Sequence, residues 1–209
     1  MAARPSPQAM PMTSPPLVLA STSPFRRALL ARLGLAFEIA APDVDERPLP
    51  GESAEHLVMR LAEAKALAVA DTYPDALIIG SDQVASIDGL VLGKPGNRAR
   101  AIEQLEQAAG RTVLFRTGLC LLRASDSHSQ VLCEPFRVHF RPLTRAQIEA
   151  YVDRERPFNC AGSFKSEGLG IALFARLEGD DPNALIGLPL IRLIDMLAQA
   201  GVDVLADHG

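Results

Sequence analysis

Hydrophobic and polar positions fall in blocks along the chain, and the block lengths separate strands from helices. Leu17-Val18-Leu19-Ala20 and Ala76-Leu77-Ile78-Ile79-Gly80 are short continuous apolar runs. Such runs predict strands covered on both faces. The first stops at Ser21-Thr22-Ser23-Pro24. Phe25-Arg26-Arg27 then opens a segment, Ala28 to Leu33, that reads as helix, with Ser23 before Pro24 as a helix cap. Ala36 to Ile39 predicts a second strand. A loop rich in proline and acid, Ala41 to Glu52, leads to Ser53, which can cap a helix running to about Ala70. Leu57, Leu61, Ala64 and Ala68 recur there at helical spacing, with Val58 beside them.

The second apolar run ends at Gly80, and Ser81-Asp82-Gln83 comes directly after it. Val84 to Ile87, Asp88-Gly89 and Leu90 to Leu92 then read as a hairpin with a tight turn. Asn97 caps a helix that ends near Gly110. Thr112 to Leu122 and Val131 to Phe140 predict antiparallel strands joined by a polar tip. Thr144 starts a helix ending by Arg156-Pro157. Residues 159–171 are glycine-rich and irregular, and Ile171 to Leu177 predicts a strand. A last helix starts at Asp181-Pro182-Asn183 and includes Leu188 to Ala200, disturbed at Pro189. The expected fold class is α/β, a mixed twisted sheet flanked by helices.

Composition narrows the classes. The chain has 209 residues, 48% hydrophobic and 22% charged, enough for a sizeable core in one domain or two small ones. A net charge of −4 argues against a nucleic-acid coat or a basic membrane-surface protein. It leaves room for a small anion held by a local basic cluster. Three cysteines, an odd number without a C-x-x-C pair, suit a reducing cytoplasm. No apolar run approaches the roughly 20 residues that cross a membrane. Residues 1–16 lack an apolar h-region and read as a flexible extension ahead of a single domain over 17–209.

The candidate chemistry is dispersed. Hydroxyls and arginines gather where the first strand meets a helix N-terminus, a place that suits either a phosphate or a plain cap. Asp82, delivered by a buried strand, can hold a divalent metal or take a proton from water. Glu46, near Asp43 and Asp45, is a second potential metal ligand. Lys65 lies beside the apolar stripe of its helix, and its burial decides whether it wants an anion. Lys94 follows Gly93, but the glycine spacing is one residue short of a P-loop and Pro95 replaces the required hydroxyl residue. The loop Ser163 to Gly170 offers Lys165, Glu167 and Phe164, with glycines that permit close approach to a ligand. Cys160 has no nucleophile signature and reads as a structural thiol. The sequence holds no G-x-S-x-G and no H-E-x-x-H. Carboxylates with scattered cations suit a metal-bound polyphosphate.

LASTSPFRRALL at Leu19 to Leu30, VDE at Val44 to Glu46, GSDQV at Gly80 to Val84 and GKP at Gly93 to Pro95 together resemble the Maf, or septum-formation, family. The resemblance runs from about residue 17 to 200. It implies a fold similar to the inosine triphosphate pyrophosphatases and hydrolysis of nucleoside triphosphates to monophosphate and diphosphate with a divalent metal (Mg2+, Mn2+ or Co2+). It implies Asp82 as proton acceptor, Glu46 and Asp82 at the metal, and Ser21, Arg26, Lys65, Lys94 and Lys165 on the triphosphate. Arg27 is the lesser of the arginine pair. Phe25, Gln83 and NCAGSFKSEGLGI further resemble the subgroup acting on 7-methyl-GTP, which makes Phe25, Gln83 and Glu167 the specificity positions. The implied partner is a small nucleotide, with no nucleic acid and no membrane, and the enzyme is expected to form a homodimer. A pyrophosphatase for pyrimidine triphosphates, a nucleotide-binding regulator of cell division with little turnover, and a phosphatase releasing inorganic phosphate are the alternatives.

Overall fold

The computed structural model describes residues 15–206. Most of the expected extension, residues 1–14, and residues 207–209 lie outside the described residues. The strands are β1 (Leu17–Ala20), β2 (Glu38–Ala40), β3 (Leu77–Ile87), β4 (Leu90–Leu92), β5 (Thr112–Arg123), β6 (His128–Phe140) and β7 (Phe174–Glu178). The helices are α1 (Pro24–Ala31), α2 (Ala54–Leu67), α3 (Arg98–Ala108), α4 (Arg145–Glu155), α5 (Pro182–Ile186) and α6 (Leu190–Gln199).

One mixed sheet runs in the order β2-β1-β3-β5-β6-β7, with β4 paired to β3. β1 lies parallel to β2 and β3, and the remaining pairs are antiparallel. Alternation along the strands divides the core by face. Leu17, Leu19, Leu77, Ile79, Leu119 and Leu121 pack against Leu29 and Leu30 of α1 and Leu193 and Leu197 of α6. Val18, Ala20, Ile78, Cys120 and Leu122 turn the other way, toward Ala62 and Ala66 of α2. Farther along β3, Ala85 joins Phe115, Val138, Leu105 and Ile148 in a third cluster over α3 and α4. Each large aliphatic side chain buried this way contributes about 1.5–3 kcal/mol.

Two glycines set how α2 sits. A Cβ on Gly80 would lie 2.0 Å from the Ala62 carbonyl oxygen, and one on Gly118 would lie 2.0 Å from that of Val58. The helix therefore rests on bare strand backbone.

Five expectations change. β3 does not stop at Gly80 but continues through Asp82 to Ile87, because β5 pairs with it along this whole stretch. α2 ends at Leu67, and its buried face is Leu57, Val58, Leu61, Ala62, Lys65 and Ala66, with Ala68 exposed. The close approach at the two glycines selects small Ala62 and Ala66 for that face. β7 begins at Phe174, not Ile171, since Leu169–Leu173 still form a 3-10 turn. The space at Gly170 is filled by the Lys165 carbonyl, 2.2 Å from a Cβ there, so this glycine serves the loop's own folding rather than a ligand. The last helix is two, α5 and α6, split where Leu188 precedes Pro189, a position that disfavours helical backbone. No helix among the described residues is long and apolar enough to cross a membrane.

Candidate active site

The site begins as a gap in strand pairing. On one edge of β3, pairing with β1 ends at Ala20 opposite Gly80, and pairing with β4 begins at Ala85 opposite Leu92. Ser81, Asp82, Gln83 and Val84 face no strand on that edge. A cleft of about 810 Å³ opens there. Ser21, Phe25, Arg26, Glu46, Lys65, Asp82, Gln83, Lys94, Lys165 and Glu167 all line it. Arg27 does not line it and is exposed.

Lys65 is the centre of the acidic side. Its side chain is 7% exposed, and its ammonium donates to Asp82 Oδ1 at 2.7 Å and to Glu46 Oε1 at 2.6 Å. Burial on α2 thus gives the lysine two anionic partners and leaves one of its three donors for another acceptor. The hydrogen bond from Lys65 holds the Glu46 carboxyl below the usual carboxylate range. The two carboxylates converge on one cationic position, now filled by the ammonium. Among the described residues no group of three or more His, Cys, Asp or Glu side chains could hold a metal. Two carboxylate oxygens fit a magnesium-like ion that draws its remaining ligands from phosphate and water.

The arginines of α1 part ways. Ser23 caps the helix by accepting from the Arg26 N–H, and Ser21, 5% exposed, accepts from the Ser23 N–H at 3.2 Å. Arg26 Nε donates to the Gly187 carbonyl at 2.8 Å. Burial pulls its pKa down, and the charges of Asp82 and Glu46 oppose that shift. Of the two readings of this turn the structure shows the cap, on a helix whose Arg26 lines the cleft.

Gln83 points from the opposite face of β3. Its Nε2 donates to the Ala184 carbonyl at 2.7 Å, the Leu185 carbonyl at 3.2 Å and Thr117 Oγ1 at 3.0 Å. Lys94 and Glu167 are exposed on the cleft walls. Lys165 Nζ donates to the Glu155 carbonyl at 2.9 Å, at the C-terminal end of α4. Phe164 anchors this loop through edge-on contacts with Phe115, Phe140 and Phe174.

Sequence reasoning missed Arg156, which lines the cleft in the left-handed conformation (φ 48°) with its guanidinium 5.9 Å from the Phe158 ring centroid. The available signal is its place before Pro157, where regular helix cannot continue. Cys160 also lines the cleft, and burial pushes its thiol pKa up.

Known proteins bear on this arrangement. The chain is 61% identical over 191 residues to the 7-methyl-GTP pyrophosphatase of Alcanivorax borkumensis, covering 91% of this chain and 97% of that protein. It is 59% identical over 197 residues to the protein of the same name in Nitrosococcus oceani, covering 94% and 99%. With that of Pseudomonas aeruginosa it shares 57% over 190 residues, covering 91% and 99%. The family described as Maf-like protein matches residues 16–200, from β1 to the end of α6, and the chain belongs to that family.

Proposed function

We propose that this chain is a nucleoside triphosphate pyrophosphatase that hydrolyses 7-methyl-GTP to 7-methyl-GMP and diphosphate. The observation that carries the chemistry is the Asp82–Lys65–Glu46 cluster in a cleft also lined by Arg26 and Lys94. The names of the three relatives supply the substrate. One continuous sheet supports reading the described residues from 17 onward as one catalytic unit.

In this reading Asp82 accepts a proton from water as the water oxygen bonds to the α-phosphorus. The bond from that phosphorus to the α–β bridging oxygen breaks, and diphosphate leaves. Lys65 orients the Asp82 carboxylate and, with Ser21, Arg26, Lys94 and Lys165, binds the triphosphate oxygens. Glu46 and Asp82 would hold a divalent cation, Mg2+, Mn2+ or Co2+, whose chemistry is to neutralise phosphate charge. Phe25 offers a ring face to the methylated base, which is cationic at neutral pH, an attraction of about 0.5–2 kcal/mol. Glu167 balances that charge from the glycine-rich loop. Three unpaired cysteines fit a reducing, cytoplasmic setting.

The test is product analysis with 7-methyl-GTP, GTP, UTP and dTTP, each with Mg2+, Mn2+ or EDTA. Metal-dependent diphosphate release, strongest with 7-methyl-GTP, is expected. Diphosphate mainly from UTP or dTTP would keep the reaction and remove the base assignment. Inorganic phosphate as first product would make the chain a phosphatase. Tight binding without turnover would make it a regulator.

A further inference from the structure

The amide of Gln83 has a chemically forced orientation. Two of its three partners, the Ala184 and Leu185 carbonyls, can only accept, so the nitrogen must face them. The third, Thr117, is fully buried on β5 directly opposite Gln83. Its hydroxyl proton goes to the Ala184 carbonyl at 2.9 Å, which leaves an oxygen lone pair for Gln83 Nε2. A flipped amide would set oxygen against two carbonyls. Gln83 Oε1 has no partner among the described residues, and no buried polar side-chain atom among them lacks one. The oxygen is therefore accessible, on a side chain that lines the cleft.

We propose that Thr117 is a positioning residue for base selection: with the α5 carbonyls it locks Gln83 so that Oε1 stands in the cleft as an acceptor for an N–H of the base. This rests on the nucleotide reading above and names what the site recognises in the base. A guanine edge offers adjacent donors, its N1–H and its 2-amino group. A positive charge on the methylated ring strengthens both donors, because charge-assisted hydrogen bonds are roughly twice as strong as neutral ones. The same acceptor thus favours guanine, and favours it more when methylated. Neither Thr117 nor a backbone carbonyl touches substrate here; both act through Gln83.

The experiment compares wild type, Thr117→Val, Thr117→Ser and Gln83→Leu as full-length protein. It reads KM and kcat for 7-methyl-GTP and for GTP, and the inhibition constant of inorganic triphosphate, which has no base. Valine keeps the size of Thr117 and removes the hydroxyl. KM for 7-methyl-GTP is expected to rise about fivefold, the scale of one net hydrogen bond, with kcat little changed and inorganic triphosphate bound as in wild type. Serine is expected to restore the wild-type KM. Gln83→Leu, which removes the acceptor itself, is expected to match or exceed the valine variant and serves if that variant folds poorly. An unchanged KM in Gln83→Leu would overturn the proposal, as would equal losses for 7-methyl-GTP and inorganic triphosphate. The wild-type preference between 7-methyl-GTP and GTP is read separately, so loss of the substrate assignment cannot be confused with loss of the Thr117 role.

Discussion

Asp82 and Gln83 are neighbours on one strand, yet they enter the cleft from opposite faces of the sheet and are held by different physics. On the α2 face, Asp82 meets a buried ammonium that it shares with Glu46. On the α5 face, Gln83 meets a hydroxyl and two carbonyls, and Ser81 donates to a further carbonyl, that of Gly187, at 2.9 Å. One face is a charged cluster that protons, metals and phosphates can rearrange. Around Gln83 the other is a lattice of uncharged groups tied to backbone carbonyls. Reaction chemistry suits the first and discrimination between bases suits the second.

The sharpest way to break this division is Asp82→Asn. The amide keeps the size and can no longer accept a proton as a carboxylate does. Diphosphate release from 7-methyl-GTP is expected to fall about 10²–10⁴-fold in kcat, the usual worth of a general base. The preference for 7-methyl-GTP over GTP, measured on the residual activity, is expected to survive because the α5 face is untouched. A loss under tenfold would place the proton acceptor elsewhere.

Gly118→Ala attacks the same face through packing. Its Cβ would have to displace the Val58 carbonyl, and hence α2, which carries Lys65. Overpacking of this kind costs about 1–3 kcal/mol, read as a lower urea midpoint. Since Lys65 moves with the helix, kcat for 7-methyl-GTP is expected to fall along with stability. Unchanged stability would mean that α2 slides freely on the sheet.

These two residues also mark the limit of what the chain discloses before folding. The caps at Ser23, Ser53, Asn97 and Thr144 are legible because each is a local bargain between a side chain and an N–H a few residues on. Nine of the ten candidate residues are legible through motifs, Lys65 only through the family resemblance, and all ten line one cleft. The pairing gap that makes the cleft is not legible. It depends on where β1 and β4 stop along β3, and the apolar run that marks the strand in the sequence ends at Gly80, before Ser81-Asp82-Gln83. Nor is the burial of Lys65, decided by Gly80 and Gly118 on strands far away in sequence. The Gln83 lattice is hidden for a plainer reason: its acceptors on α5 are backbone carbonyls, which any residue type would supply.

A third test sharpens the comparison from the substrate's side. Phe25→Ala and Glu167→Gln each leave the α2 cluster and the α5 lattice intact. Each is expected to cut the kcat/KM ratio of 7-methyl-GTP to GTP roughly 2- to 30-fold, as the loss of about 0.5–2 kcal/mol of cation–ring attraction requires for Phe25. The two substrates are measured side by side with the same metal. An unchanged ratio in both variants would leave base charge unread by the cleft.

The smallest effect belongs to Cys160, the one thiol on the cleft wall. A nucleophilic cysteine needs a lowered pKa, since the thiolate is the reactive form. Burial moves Cys160 the other way, and Glu167 and Glu155 add to that rise, while Lys165 and Lys94 only partly oppose it. A raised pKa leaves less thiolate at neutral pH, so alkylation by iodoacetamide is expected to be slower than for a free thiol and to accelerate as pH rises. Cys160→Ser is expected to keep kcat within about twofold, because the Asp82 mechanism forms no covalent bond to the protein and deprotonates only water. A collapse of turnover in this variant, with the fold intact, would transfer the chemistry from the charged face of the sheet to the loop that follows α4.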